Sequence, residues 1–187
     1  MEFNNLPNLT TERLCVRMLD PDKAGMMSTF RVKNRQYLEP WEPKRSPEFF
    51  TEPFWQVQLR AGLRDYSNGN SCCLTIMDKA ESEILGVCNF TNIIRGTFQS
   101  CHLGYALAEC QQHNGFMAEA LDSSINYMFT TQRLHRIMAN YLPNNDRSAA
   151  LLKRLGFKIE GYAKRFLLIN GQWKDHVLTS LINPSGV

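Results

Sequence analysis

Residues 98–121 read FQSCHLGYALAECQQHNGFMAEAL, and this stretch decides the fold. Its first half alternates: Cys101, Leu103, Tyr105 and Leu107 are large, whereas Gly104, Ala106 and Ala108 on the opposite face are small. That is strand periodicity, with one face that a backbone or a ligand can approach closely. A polar run then passes through a single glycine, Gly115, into a helix in which Met117, Ala120, Leu121, Ile125 and Met128 recur at three- and four-residue spacing. The helix start has two readings. Its unpaired N–H groups, with Gly115 admitting close approach, can face an anion; equally, Asn114 can be an ordinary N-cap. Phosphate loops generally carry two or three glycines, and the one here does not separate the two readings.

Upstream, SCCLTIMD (71–78) and EILGVCNFTNII (83–94) precede the strand with short polar turns between them, which predicts an antiparallel meander. Before the meander, residues 13–19 alternate as a first strand, and Asp20-Pro21 opens a helix over 20–38 with an acceptor cap and a first-turn proline. LEPWEPKRSPEF (38–49) contains three prolines, which predicts irregular chain, and a second helix is expected from about 47 to 66. Downstream, RIMANYL (136–142) reads as a strand. PNNDRSAALLKRLGF (143–157) reads as a helix with Asn144, Asn145 or Asp146 as cap and Gly156 as terminator. Two final strands flank Asn170-Gly171, a strong hairpin signal.

At 187 residues and 43% hydrophobic, the chain suits one domain, expected over 9–183 with short tails at 1–8 and 184–187. The net charge of +3 is spread without a basic tract, which admits an anionic ligand and does not call for nucleic acid. Six cysteines form no CxxC pair and fall largely in apolar stretches, as reduced, buried thiols do. No apolar run reaches the roughly 20 residues of a membrane span and the N-terminus lacks a signal-peptide pattern, so the expectation is a cytoplasmic protein away from membranes. The four histidines are scattered and form no metal set, and no nucleophile triad emerges. Trp41, between Glu39 and Glu42 on the proline-stiffened loop, is either a binding rim for a cationic partner or the anchor of a long loop.

Several stretches, NFTNIIRGTFQSCHLGYAL, GFMAEAL, HRIMANYLPNNDRSAALLKRLGF and EGYAKRFLLINGQWKDHVLTSL, resemble the GNAT acetyltransferases, in particular the RimJ-type ribosomal-protein-alanine N-acetyltransferases. LEPWEP and the WKDHVLTSL ending are typical of that subgroup, and the resemblance runs from about residue 9 to 181. It implies an α/β (α+β) GNAT fold: a mixed, mostly antiparallel twisted sheet of about seven strands flanked by about four helices, splayed between the fourth and fifth strands.

The resemblance also implies acetyl-coenzyme A as co-substrate, no metal, and a pantetheine arm slotted into the splay against Leu103, Gly104, Tyr105, Ala106 and Leu107. The pyrophosphate loop would be formed around His113, Asn114, Gly115, Phe116, Met117 and Ala118. Here the sequence departs from the family pattern: Cys110 stands where Gln or Arg is usual and His113 where the first glycine is usual. By the same resemblance Asn144 would bond the arm, Ser148 would lie near the thioester sulfur, and Leu151 would complete the coenzyme site. Trp41, Glu42 and Asn89 would meet the acceptor. The Tyr105 N–H is a candidate oxyanion donor and Ser148 a candidate sulfur partner. A base used in a sister subgroup falls on Leu167 and is absent, which leaves Glu42 and Asp175 as candidate bases, each with a structural alternative.

The implied reaction is acetylation of a protein N-terminal alanine, typically of the fifth small-subunit ribosomal protein, with the ribosome or its assembly intermediates as possible partners and direct RNA contact left open. Two other readings fit the same chain: acetylation of a small amine or antibiotic, and a ribosome-assembly binding factor that retains the fold.

Overall fold

The computed structural model describes residues 6–186. Eight strands form one sheet: β1 (Asn8–Thr10), β2 (Leu14–Arg17), β3 (Cys72–Asp78), β4 (Ile84–Ile94), β5 (Ser100–Leu107), β6 (Arg136–Tyr141), β7 (Lys158–Ile169) and β8 (Gln172–Ile182). Their order across the sheet is β1-β2-β3-β4-β5-β6-β8-β7, and every neighbouring pair is antiparallel except β5 with β6. The α/β class and the meander are as the sequence predicts. The eighth strand is β1, three residues without apolar alternation, paired to β2 across the turn in which Thr11 N–H donates to the Leu14 carbonyl. Asn8, expected in the N-terminal tail, begins this strand; the rest of that tail lies largely outside the described residues.

Among the described residues there are five α-helices, α1 (Ala24–Lys33), α2 (Arg35–Leu38), α3 (Glu52–Ser67), α4 (Phe116–Thr130) and α5 (Asp146–Arg154). Asp20 caps the first helical segment as expected, its carboxylate accepting from Asp22 N–H. The single helix expected over 20–38 is divided at Asn34, whose carboxamide donates to the Phe30 carbonyl and accepts from Glu109 N–H at 3.0 Å. A side chain that closes one helix and bonds a distant segment outweighs continuation of the helix. The proline-rich stretch is also more regular than expected. Glu39–Trp41 and Pro47–Phe50 are single 3-10 turns, since proline in a first turn forfeits no hydrogen bond. Thr51 then interrupts the second expected helix before α3.

Two apolar clusters hold helices to opposite faces of the sheet. Leu121, Ile125 and Met128 of α4 pack with Leu14, Val16, Leu74, Phe90 and Ile137, and Leu152 of α5 joins them. Met27 and Phe30 of α1, with Leu38, pack on Met77, Ile84 and Val87. Adjacent residues of β4 point alternately into the two clusters, so the strand is apolar on both sides.

Candidate active site

The parallel ladder between β5 and β6 is brief: Ser100 pairs with Arg136, Cys101 with Ile137 and His102 with Met138, and there it stops. Beyond that point β5 stays with β4 as far as Leu107, and β6 stays with β8 as far as Tyr141. The two strands therefore diverge, leaving Leu103–Leu107 and Ala139–Tyr141 as facing edges of a wedge. The splay expected between the fourth and fifth strands falls between β5 and β6, because β1 adds one to the count. Gly104 lies on its open side. It is exposed, and a β-carbon built on it would meet nothing within 4 Å. Asn89 is its cross-strand partner in β4. His102, two residues earlier on the same strand face, has Nδ1 buried without a hydrogen-bond partner among the described residues. Burial lowers the pKa of His102.

The large face of β5 turns the other way. Tyr105 reaches across to α5, where its hydroxyl lies 2.5 Å from Ser148 Oγ. The serine is fixed by the helix start, its N–H donating to Asn145 Oδ1 at 3.1 Å. Of the three cap candidates, then, Asn145 does the capping, while Asn144 stays exposed beside it. Burial pushes the Tyr105 phenol up to about 12, against the lowering effect of its bond to Ser148 and with a smaller rise from Tyr141. Leu151, one turn after Ser148, packs on the edge of the core beneath.

The loop from β5 to α4 shows which residue caps the helix. Asn114 is not the N-cap: Gly115 holds that position at φ 79°, a left-handed conformation that favours glycine, and Asn114 turns back to Gln111 instead. His113 is also left-handed, at φ 67°. The first-turn N–H groups of Phe116, Met117 and Ala118 have no intrahelical acceptor, so they form a cradle at the positive end of the helix dipole.

Arg13, which sequence reasoning treated only as a strand residue, borders this cradle. It donates to the Asn114 carbonyl at 2.9 Å, stacks 4.6 Å over the Phe116 ring and pairs with Glu119 at 2.7 Å. A cation thus stands beside the loop although Cys110 replaces the usual Gln or Arg. Nothing local in the sequence signals this, since Arg13 and Glu119 are 106 residues apart.

Where the wedge opens, a cleft of about 560 Å³ is lined by Pro40 and Trp41, by Leu142, Pro143 and Asn144, and by the β7–β8 hairpin through Asn170, Gln172, Trp173, Lys174 and Asp175. Its two walls are tied together, for Asn170 N–H donates to the Glu42 carbonyl at 2.9 Å. Trp41, Asn144 and Asp175, singled out separately in the sequence, line this one cleft. Glu42 is not part of this lining. Its carboxylate faces a separate cavity of about 30 Å³, where it accepts from Arg31 at 2.9 Å and lies 3.5 Å from Arg45. Asp175 has both oxygens occupied, by Arg165 N–H and by the Tyr162 hydroxyl, each at 2.8 Å. These bonds hold its carboxyl below the usual range, which makes it a weak base. Both carboxylates therefore fit their structural alternatives better than a proton-accepting role.

A strand wedge with a glycine-opened face has a helix-start cradle at one end and a hydroxyl pair beneath, and comparison with known proteins says which family carries it. The sequence profile of the "Acetyltransferase (GNAT) domain" matches residues 13–158, and the chain belongs to this family of N-acetyltransferases. It is 46% identical over 183 residues to the "[Ribosomal protein uS5]-alanine N-acetyltransferase" of Escherichia coli, covering 97% of this chain and 94% of that protein. Among solved structures, the ribosomal-protein-S5-alanine acetyltransferase from Vibrio fischeri superposes with a TM-score of 0.93 at 39% identity, covering 97% and 99% of the two chains. Mycobacterium smegmatis RimJ in complex with CoA-disulfide gives 0.87 at 26% identity, covering 96% and 88%.

Proposed function

We propose that this chain transfers the acetyl group of acetyl-coenzyme A to the N-terminal alanine amine of a protein, and that the acceptor is a small-subunit ribosomal protein met in the cytoplasm. The observation that carries this reading is the cleft at the mouth of the wedge. It is open, about 560 Å³, and walled by Trp41 and Trp173, 36% and 61% exposed, as suits a peptide terminus better than an enclosed small amine. The 46% identity to a protein named for uS5-alanine acetylation supports the acceptor class. The whole of residues 9–183 is read as one acetyltransferase domain.

In this reading the pantetheine arm lies along Leu103–Leu107 with Asn144 and Leu151 flanking it, and the diphosphate rests on the cradle from His113 to Ala118. The amine enters over Gly104 and Asn89, with Trp41 packing on the peptide. A protein α-amine has a pKa near ~8 in water, so a large share is protonated at neutral pH and must lose that proton before attack. As the nitrogen–carbon bond forms and the carbon–sulfur bond breaks, the Tyr105 N–H stabilises the oxyanion and Ser148 donates to the departing sulfur. The proton that the thiol finally holds balances the one the amine gives up.

Incubation with acetyl-coenzyme A and peptides beginning with Ala, Ser or Met, read by mass, tests the proposal. One acetyl group on the Ala peptide is expected, at a rate about 10- to 200-fold above that for Met, the range a pocket sized for a small side chain gives. Modification of small amines alone would rule out the protein acceptor.

A further inference from the structure

Ser148 cannot be understood without the group beside it. A serine hydroxyl has one proton and two lone pairs, so its contact with Tyr105 has two forms. If the serine donates to the phenol, its proton is spent and the sulfur receives nothing. If the phenol donates to the serine, the serine proton is free to point elsewhere. Both side chains are held on rigid elements: Tyr105 sits in β5 opposite Cys88 of β4, and Ser148 sits in the first turn of α5 with its N–H on Asn145. Their 2.5 Å contact crosses from β5 to the helix that follows β6, so it spans the two sides of the wedge.

We infer that the Tyr105 hydroxyl is a positioning group: it donates to Ser148 Oγ and thereby turns the serine proton toward the sulfur that leaves. This rests on the acetyl-transfer reading above and adds to it a chain of two hydrogen bonds, phenol to serine and serine to sulfur. A phenol is a better donor than an aliphatic alcohol, which favours this direction. Tyr105, with its pKa raised to about 12, keeps its own proton throughout, because a thiolate is far too weak a base to remove it. The chain therefore steadies charge on sulfur without transferring the phenol proton, and the atoms balance without a further reactant.

The test is a double-mutant cycle of Tyr105→Phe and Ser148→Ala, measured as kcat and KM for acetyl-coenzyme A with an Ala-initiated peptide. Each single variant is expected to lose about 10- to 100-fold in kcat, the worth of one hydrogen bond to a charged group, with KM within about twofold. The double variant is expected to be no slower than Ser148→Ala alone. Losses that multiply, or wild-type turnover in Tyr105→Phe, would overturn the pairing, because a merely structural tyrosine would act independently of the serine.

A second measurement does not need the acceptor. The thiol of bound coenzyme A is titrated by its thiolate absorbance. Both single variants are expected to raise its pKa by the same amount above that of the wild type; an unchanged value in Tyr105→Phe overturns the inference. If coenzyme A does not bind at millimolar concentration, the acetyl-transfer reading falls and the inference falls with it.

Discussion

Gly104→Leu is expected to leave the fold standing and to reduce acetyl transfer by at least about 100-fold, the penalty that follows when reacting groups are displaced by an ångström or more. A β-carbon at this position has nothing within 4 Å, so the substituent starts from open space. Its backbone is ordinary strand, outside the left-handed region, so leucine is not strained there. What leucine fills is the open face of the wedge, over which the proposed function brings the amine to the thioester. A thermal melt within about 2 °C of wild type, as a substitution worth ±0.5 kcal/mol gives in a chain this long, would accompany the loss. Undiminished turnover would show that the acceptor does not cross this face.

The second large effect lies away from the cleft. Arg31 is 6% exposed, enclosed by Phe30, Phe49 and Trp55 with its guanidinium carbon 5.3–5.4 Å from each ring centroid, and its carboxylate partner is Glu42. Burial lowers the pKa of Arg31, opposed chiefly by Glu42. Glu42→Ala strands that cation in an aromatic cage, a change that costs about 3–5 kcal/mol and lowers Tm by roughly 6–20 °C in a chain of this size. Arg31→Met combined with Glu42→Leu removes both charges and keeps sulfur against the rings, so the double variant is expected to regain most of the lost stability. Its activity then decides the role of Glu42: near-normal kcat means that the carboxylate holds the loop, whereas a stable but inactive double variant would restore it as the base.

What could be read from the sequence was what is local. The three- and four-residue spacing of Met117, Leu121, Ile125 and Met128 specifies α4, and Asn170-Gly171, with φ of 43° and 74°, makes the hairpin it announces. Asn34 looks like any helical asparagine until Glu109, 75 residues on, supplies its partner. The Tyr105–Ser148 contact likewise joins residues 43 apart, and neither side chain's neighbours hint at the other. The roles of Asn144 and Ser148 come from family resemblance, since a polar helix start alone is equally an ordinary cap. Glu42 and Asp175 were singled out as carboxylates near the right loops, but which way a loop side chain turns depends on partners such as Arg31 and Arg165 N–H, which only the folded chain identifies.

The distribution of the six thiols makes the native enzyme self-labelling. Cys15, Cys72, Cys88 and Cys101 are buried and Cys73 half-buried, and in all five desolvation pushes the thiol toward the unreactive protonated form. Cys110 alone is exposed, in the turn that leads into the Gly115 cradle. A maleimide dye applied to folded protein is expected to mark one position, beside the proposed diphosphate cradle, and its fluorescence is expected to respond to coenzyme binding there without an engineered site. The residue that departs from the family's phosphate-loop pattern is thus also the natural place to test whether the loop holds a diphosphate.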